Sequence, residues 1–223
     1  MMLGIIAAVL YVLAASNLWI KKISNTNLHK PLTIMHKAIG IVFLGIIISH
    51  IIITWGLMKQ RPTSMYVIGY FMTLCAIILV LSYLFRKKLG KNWIVIHRIF
   101  AVLVLACLIL HVYIGFSSLA EYKKSVNQIS VSNVDLSRIE DGNYIGKCNV
   151  GYIYARVEVI VKDSNIQQIS ILEHRTERGK PAETIVNDIV NQQQVQVDAI
   201  TGATNSSKVI MKAVENALRN ERE

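Results

Sequence analysis

The feature that most constrains this chain is a series of four long apolar stretches in its first half. They cover residues 2–20, 32–57, 66–85 and 93–116. A helix needs about 20 predominantly apolar residues to cross the hydrocarbon core of a bilayer, and each stretch is close to that length or longer. The sequence therefore predicts an α-helical transmembrane four-helix bundle over residues 1–116, with the lipid bilayer as a partner.

Charge is distributed unevenly along the chain. Residues 1–120 contain eleven basic residues and no Asp or Glu, whereas residues 121–223 contain thirteen basic and fourteen acidic residues. The formal net charge of +10 therefore comes from the first part alone. A basic excess is one signature of nucleic-acid binding. Here the basic residues lie in short loops between apolar stretches, so we expect no nucleic-acid partner.

The charges of these loops predict an orientation in the membrane. Four Lys lie around the first loop and a second basic group lies around the third, but the loop between the second and third stretches has only Lys59 and Arg61. The positive-inside rule places the first and third loops in the cytoplasm. We therefore expect a multi-pass protein of the cytoplasmic membrane whose chain after residue 116 is extracytoplasmic. The first stretch lacks a preceding basic region and is expected to be a retained helix.

A polar linker is predicted over residues 117–138, with a partly helical segment near Glu121–Lys124, followed by a small α+β domain over residues 139–223. Val157, Val159 and Val161 alternate with other side chains, which predicts a half-buried strand. Further strands are expected at 143–148 and 166–172, and a helix at 181–192. The clearest element is a closing helix with an apolar stripe formed by Val209, Ile210, Ala213, Val214, Ala217 and Leu218.

Four histidines lie inside the apolar stretches: His36 and His50 in the second, and His97 and His111 in the fourth. Each pair is separated by 14 residues, or two heptads, so both members share one helix face about 21 Å apart. The two helices are expected to run parallel, which brings His36 level with His97 and His50 level with His111. Ionisable groups within a membrane are costly and indicate a functional site.

Paired imidazoles on facing helices are suited to haem, whose iron takes axial His ligands. We therefore predict two haems b, with Lys37 and Arg98 as candidates to bind the propionates or, equally, as topology determinants. Incidental packing and metal transport are the alternatives, although no acidic residue accompanies the imidazoles. The spacing resembles the four-helix haem core of ferric-reductase-like and related cytochrome b membrane domains, which implies transmembrane electron transfer.

The segment from Asp198 to Thr204, Asp-Ala-Ile-Thr-Gly-Ala-Thr, precedes the closing helix. Gly202 permits a tight turn, and Thr204 places a hydroxyl near a helix N-terminus, where unpaired N–H groups favour phosphate. On these residues alone, the favoured interpretation is a helix N-cap formed by Thr204 or Ser206.

The same segment resembles the flavinylation motif of the FMN-binding domain family, which includes the C and G subunits of the sodium-translocating NADH:quinone oxidoreductase and Rnf complexes. The resemblance covers about residues 139–218. It implies that a flavin transferase outside the cytoplasm attaches FMN to Thr204 through a phosphoester bond. Asp198 and Thr201 would be read by the transferase. The residues implied to flank the phosphate are Gly202, Ala203 and Ser206, and those implied to contact the flavin ring are Tyr152, Glu173, His174 and Thr176.

Together these features predict a membrane flavocytochrome oxidoreductase without an assigned catalytic residue. Electrons would pass from a cytoplasmic-side donor protein or quinol, through two haems, to covalent FMN and then to an extracytoplasmic acceptor. The reductase resemblance implies ferric iron as that acceptor. No G-x-G-x-x-G dinucleotide motif is present. Two alternatives stay open: a relay subunit of a larger redox complex, and a haem-free membrane-anchored flavoprotein or sensor.

Overall fold

The computed structural model describes residues 2–23, 29–57 and 60–219, with the side chains of residues 17–23 and 29–30 excepted. The chain divides into two compact units. Unit 1 comprises residues 1–58 and 63–115, and unit 2 comprises residues 59–62 and 116–223.

The helical part of the chain contains α1 (Met2–Ile23), α2 (His29–Trp55), α3 (Thr63–Leu84), the short α4 (Arg86–Leu89) and α5 (Asn92–Asn127). Three of these helices, α2 from Pro31 onward, α3 and α5, are long and apolar enough to span a membrane. This is consistent with a membrane location. In α1 the described apolar part, Met2–Ser16, is shorter. The four-helix bundle therefore stays a prediction.

The packing within unit 1 is made by small clusters rather than by one large core. Ala7, Ile47 and Ala76 form one cluster, and Tyr11, Cys75 and Val104 form another. Most other apolar side chains face outward, as expected where lipid tails rather than water surround the helices, because lipid removes the hydrophobic drive to bury them.

Unit 2 contains an antiparallel sheet of β1 (Gly142–Asn149), β2 (Tyr154–Lys162) and β3 (Asn165–Arg175), in the order β1-β2-β3. The buried face of β2 carries Val157, Val159 and Val161, each at most 1% exposed, so the predicted alternation is confirmed. Asp163 and Ser164 join β2 to β3, and both have positive φ angles, 53° and 58°. This is the backbone of a tight hairpin whose twist matches that of the strands.

Two helices cover this sheet. A 3₁₀ turn (Lys180–Thr184) leads into α6 (Ile185–Gln192), which packs on β3, and α7 (Thr204–Arg219) packs on β1 and β2. The whole predicted apolar stripe of α7 is buried. A Cβ atom on Gly146 would overlap the backbone of α7 at Ala213 and Ala217. Glycine at this position therefore allows the helix to lie directly against β1.

The predicted linker is partly helical, because α5 continues to Asn127 and a 3₁₀ turn spans Leu136–Arg138. The intervening segment is fixed to α7 by Glu215, whose side chain is 3% exposed. Its carboxylate accepts hydrogen bonds from the Ser132 hydroxyl at 2.9 Å and from Lys212 and Arg219 at 2.8 Å. Burial acts to raise the pKa of Glu215, but the hydrogen bonds from Lys212 and Ser132 outweigh it and lower that pKa.

Candidate functional site

A tight turn sets the start of α7. The Ala203 N–H donates to the Ile200 carbonyl at 3.0 Å, and Gly202 has a φ of 78°, which the third position of a type II turn requires. The Ser207 N–H donates to the Ala203 carbonyl at 3.0 Å. Ala203 therefore occupies the N-cap position and Thr204 is the first helical residue. The N-cap predicted at Thr204 or Ser206 is wrong.

The Thr204 side chain is exposed at this helix end. The N–H groups of Thr204, Asn205 and Ser206 precede the first intrahelical hydrogen bond of α7. Such groups, together with the helix dipole, favour a negatively charged ligand. The arrangement offers an exposed hydroxyl and an environment for phosphate at the same place.

Ser206 connects this helix end to the segment that follows β3. Its side chain is 1% exposed, and its hydroxyl lies 3.2 Å from the hydroxyl of Thr176. The Thr176 hydroxyl also accepts a hydrogen bond from the Gly179 N–H at 2.9 Å. A Cβ atom on Gly179 would overlap the Ser206 hydroxyl. The structure therefore brings the predicted residues Thr176 and Ser206 together.

His174 is the most buried of the predicted ring contacts, with a side chain only 1% exposed. Its Nδ1 lies 3.0 Å from Glu183 Oε1, whereas its Nε2 is buried without a hydrogen-bond partner in the described part of the chain. A buried polar atom without a partner calls for an explanation such as an absent ligand. Glu173 lies on the opposite strand face and forms an ion pair with Arg175 at 3.2 Å.

Tyr152 belongs to an aromatic and cationic cluster. Its ring centroid is 5.0 Å from that of Tyr122, and the Arg61 guanidinium lies 4.4 Å from the Tyr152 ring centroid. Asn205 donates a hydrogen bond to the Tyr122 hydroxyl at 3.0 Å. These two tyrosines and Arg61 line a cavity of about 400 Å³, which Arg175 also borders.

Arg61 and Tyr122 were not among the residues predicted for this site. Arg61 also forms an ion pair with Glu177, and the neighbouring Gln60 donates to the Thr176 carbonyl at 3.1 Å. The sequence pattern assigned Arg61 only to a loop and Tyr122 only to the linker. Partners 116 residues apart leave no local periodicity that would have joined them.

The remaining predicted residues lie on the surface before α7. Asp198 and Thr201 are both exposed, on the segment that leads into the turn. This placement leaves their side chains accessible to a modifying enzyme but does not make them part of the network around Ser206.

Two of the four histidines on the apolar helices face each other within unit 1. The ring centroids of His36 and His97 are 6.2 Å apart, with an angle of 64° between the ring planes. The Nδ1 of His36 lies 3.1 Å from the Ala14 carbonyl oxygen, and that of His97 lies 3.1 Å from the Leu79 carbonyl oxygen. A hydrogen bond from Nδ1 to a carbonyl leaves the Nε2 atom of each ring to act as an acceptor or metal ligand.

The other two histidines lie against glycines of neighbouring helices. A Cβ atom on Gly4 would be 3.3 Å from His50 Cε1, and one on Gly69 would be 3.6 Å from His111 Cε1. Of the two pairs that the spacing predicts, the structure shows His36 and His97 in direct ring contact, and the pairing of His50 with His111 stays a prediction.

The surroundings of Lys37 and Arg98, the candidates to bind haem propionates, do not single out a propionate site. Lys37 lies with its ammonium 5.2 Å from the Tyr83 ring centroid, and Arg98 is exposed. Among the described residues, no group of three or more His, Cys, Asp and Glu side chains is arranged to hold a metal ion. The three cysteines are free thiols, and burial raises the pKa of Cys148.

Residues 151–219 match the family model of the FMN-binding domain. The match includes Tyr152, the β2–β3 hairpin, α6, the turn at Gly202 and α7. No curated protein and no solved structure matches the chain. The family match supports FMN as a cofactor and indicates a flavin-associated electron-transfer role.

Proposed function

We propose that this chain conducts electrons across a membrane, from a cytoplasmic-side donor protein or quinol to an acceptor outside the cytoplasm. FMN is attached covalently to Thr204, and two b-type haems are held by the four intramembrane histidines. Ferric iron is the acceptor class that the reductase resemblance implies. One observation carries the proposal: the last Thr of the motif is exposed at the first position of α7, inside the FMN-binding domain match.

Attachment of FMN requires a hydroxyl and a place for the phosphate, and the start of α7 offers both. A flavin transferase catalyses attack by the Thr204 oxygen on the FMN-side phosphorus of FAD. A phosphoester bond forms, the pyrophosphate bond breaks, AMP leaves and the hydroxyl proton is released to solvent. The N–H groups of Asn205 and Ser206 then stabilise the phosphate charge. Bound FMN supplies one-electron and two-electron chemistry.

His174 is suited to contact the flavin. A hydrogen bond from Nδ1 to Glu183, at 3.0 Å, fixes the tautomer in which Nε2 is an acceptor. That atom is buried and unpartnered in the described residues, so a bound group with a donor would satisfy it. Thr176 and Ser206 support the same region through their hydroxyl contact.

The geometry of His36 and His97 supports one haem. Their ring centroids are 6.2 Å apart, so these two imidazoles are the residues that would hold the iron of one haem. Carbonyl partners at both Nδ1 atoms are the outer-shell contacts typical of metal-binding His. His50 and His111 are assigned to the second haem. Bound haem supplies a one-electron couple whose potential depends on its axial ligands.

The proposed topology is supported by which segments of the chain make up unit 2. Residues 60–62, which connect α2 to α3, belong to the same unit as residues 116–219. The loop that joins α2 to α3 is also the least basic of the three loops, as expected for an extracytoplasmic loop. Both observations favour a position of the FMN-binding domain outside the cytoplasm.

Covalent attachment is tested by replacing the threonine. Thr204→Ala should abolish flavin that stays on the polypeptide after denaturation, as measured by in-gel fluorescence and intact mass. Thr184→Ala is the matched control, because Thr184 is also an exposed threonine at a helix start and bonds only locally to the Pro181 carbonyl. Covalent flavin in Thr204→Ala would refute the assignment.

Haem binding is tested by pigment content per chain. The detergent-purified protein should contain about two b-type haems, and His97→Ala should lose the one that it shares with His36. His174→Ala, in unit 2, is the control and should keep the full haem content. A wild-type protein with covalent flavin and no haem would instead favour a haem-free anchor.

A further inference from the structure

The cavity beside Tyr122 and Tyr152 extends beyond the region of the family match. That match begins at residue 151. The cavity wall therefore includes two residues that lie outside the matched domain, Arg61 and Tyr122. A volume of about 400 Å³ lies within the range of pockets that take small organic groups. All the lining residues belong to unit 2.

The chemistry of the walls is specific. The half-buried Tyr122 ring presents aromatic surface against which a flat conjugated ring can stack, and it is supported by the buried Tyr152 ring, which packs against Tyr122 and Arg61. Arg61 and Arg175 add guanidinium groups, which are suited to planar, electron-rich partners. Both are held in place, since Arg61 pairs with Glu177 and Arg175 pairs with Glu173. A planar aromatic group with carbonyl acceptors fits such walls.

Thr204 lies close enough to the cavity for a flavin attached to it to be the planar group that the cavity binds. Asn205 donates to the hydroxyl of Tyr122 at 3.0 Å, and Asn205 directly follows Thr204. Successive Cα atoms are only about 3.8 Å apart. A flavin tethered to the Thr204 oxygen by its phosphate and ribityl chain therefore reaches this cavity.

We infer that the isoalloxazine ring of the attached FMN occupies this cavity, in contact with Tyr122. Arg61 and Arg175 donate to the ring's polar edge and stabilise the negative charge that it gains on reduction. This inference rests on the proposed covalent attachment at Thr204. It adds that the flavin site is completed by residues 60–62 and by the end of α5, which lie outside the matched domain.

Flavin fluorescence tests the contact, because tyrosine in contact with flavin quenches its emission by electron transfer and phenylalanine does not. The full-length detergent-purified protein is compared with the Tyr122→Phe/Tyr152→Phe double variant at equal covalent flavin and haem content, so that no quenching tyrosine stays in the cavity. We expect a rise in emission yield of about threefold or more, since the double variant keeps both rings and removes only the phenol groups. Tyr144→Phe is the control. Tyr144 is buried with its hydroxyl on the Glu140 carbonyl and does not line the cavity.

Wild-type emission in the Tyr122→Phe/Tyr152→Phe double variant, with full flavin content, would overturn the inference and leave the attachment at Thr204 intact. An equal rise in Tyr144→Phe would also overturn it, because the effect would not depend on the cavity. Absence of covalent flavin from the wild-type chain is a different outcome, which would refute the proposed function itself.

Discussion

Units 1 and 2 differ in whether the apolar side chains around their candidate functional residues are exposed or buried. In unit 1 many apolar side chains face outward, with Ile41 73% and Ile52 68% exposed, which is typical of helices in contact with lipid. In unit 2 most isoleucines and valines of the sheet and helices are buried away from water, with Ile145 of β1 an exposed exception. A polar side chain is therefore the informative exception in unit 1. In unit 2 the informative exception is a polar side chain that is buried.

Two histidines illustrate this difference. His36 is conspicuous in the sequence because it interrupts an apolar helix, and an ionisable group there is costly unless it has a function. His174 lies in an ordinary polar stretch, and what distinguishes it is a side chain that is 1% exposed. The same residue type thus becomes a candidate through sequence context in one unit and through burial in the other.

The comparison is tested most strongly by the same truncation in each unit. Ile210 is fully buried in unit 2, so Ile210→Ala should destabilise that unit by about 2–5 kcal/mol. Ile52 is 68% exposed in unit 1, so Ile52→Ala should change stability by less than about 0.5 kcal/mol. Amide hydrogen exchange of each unit in the full chain measures both values. Equal losses of unfolding free energy in the two variants would mean that the two units do not differ in how they bury apolar side chains.

A second pair of substitutions compares backbone packing. Gly146→Ala places a methyl group against the backbone of α7 and should destabilise unit 2 by about 1–3 kcal/mol. Gly40→Ala meets nothing within 4 Å and should leave unit 1 as stable as before or more stable, since alanine is the better helix former. Thermal unfolding in detergent measures both. Tolerance of Gly146→Ala would contradict the close approach of β1 and α7.

The smallest expected effect concerns Glu215, whose pKa is lowered in the folded state. Its stabilising contribution is therefore complete above the unfolded pKa of about 4.3 and is lost as the pH falls through the folded pKa. Glu215→Gln should cost about 1 kcal/mol near neutral pH, because Lys212 and Arg219 reach solvent and are screened. The urea midpoints of the variant and the wild type should converge in acid. A constant difference across that range would assign the effect to packing.

Much of unit 2 could be predicted because its signals are local. The alternation around Val159 predicted β2, and the spacing of apolar residues from Val209 to Leu218 predicted α7. The motif ending at Thr204 predicted the flavin site, which the family match supports at the level of the domain. The helical segment expected near Glu121–Lys124 is present, but the sequence did not indicate that it continues the fourth apolar helix to Asn127. Residues 117–127 are polar but contain no Gly or Pro, so nothing stops the helix where its apolar part ends.

The sequence by itself determined the apolar helices, the strand and helix periods, the pairing of His36 with His97 and the candidate threonine. These properties follow from residue spacing along one element. Only the tertiary structure decided that Ala203, rather than Thr204, caps α7, and that His174 is buried. It also decided that Arg61 and Tyr122 meet at Tyr152. Such contacts join segments far apart in the chain, and they form because the fold buries their surfaces together rather than because of any local pattern.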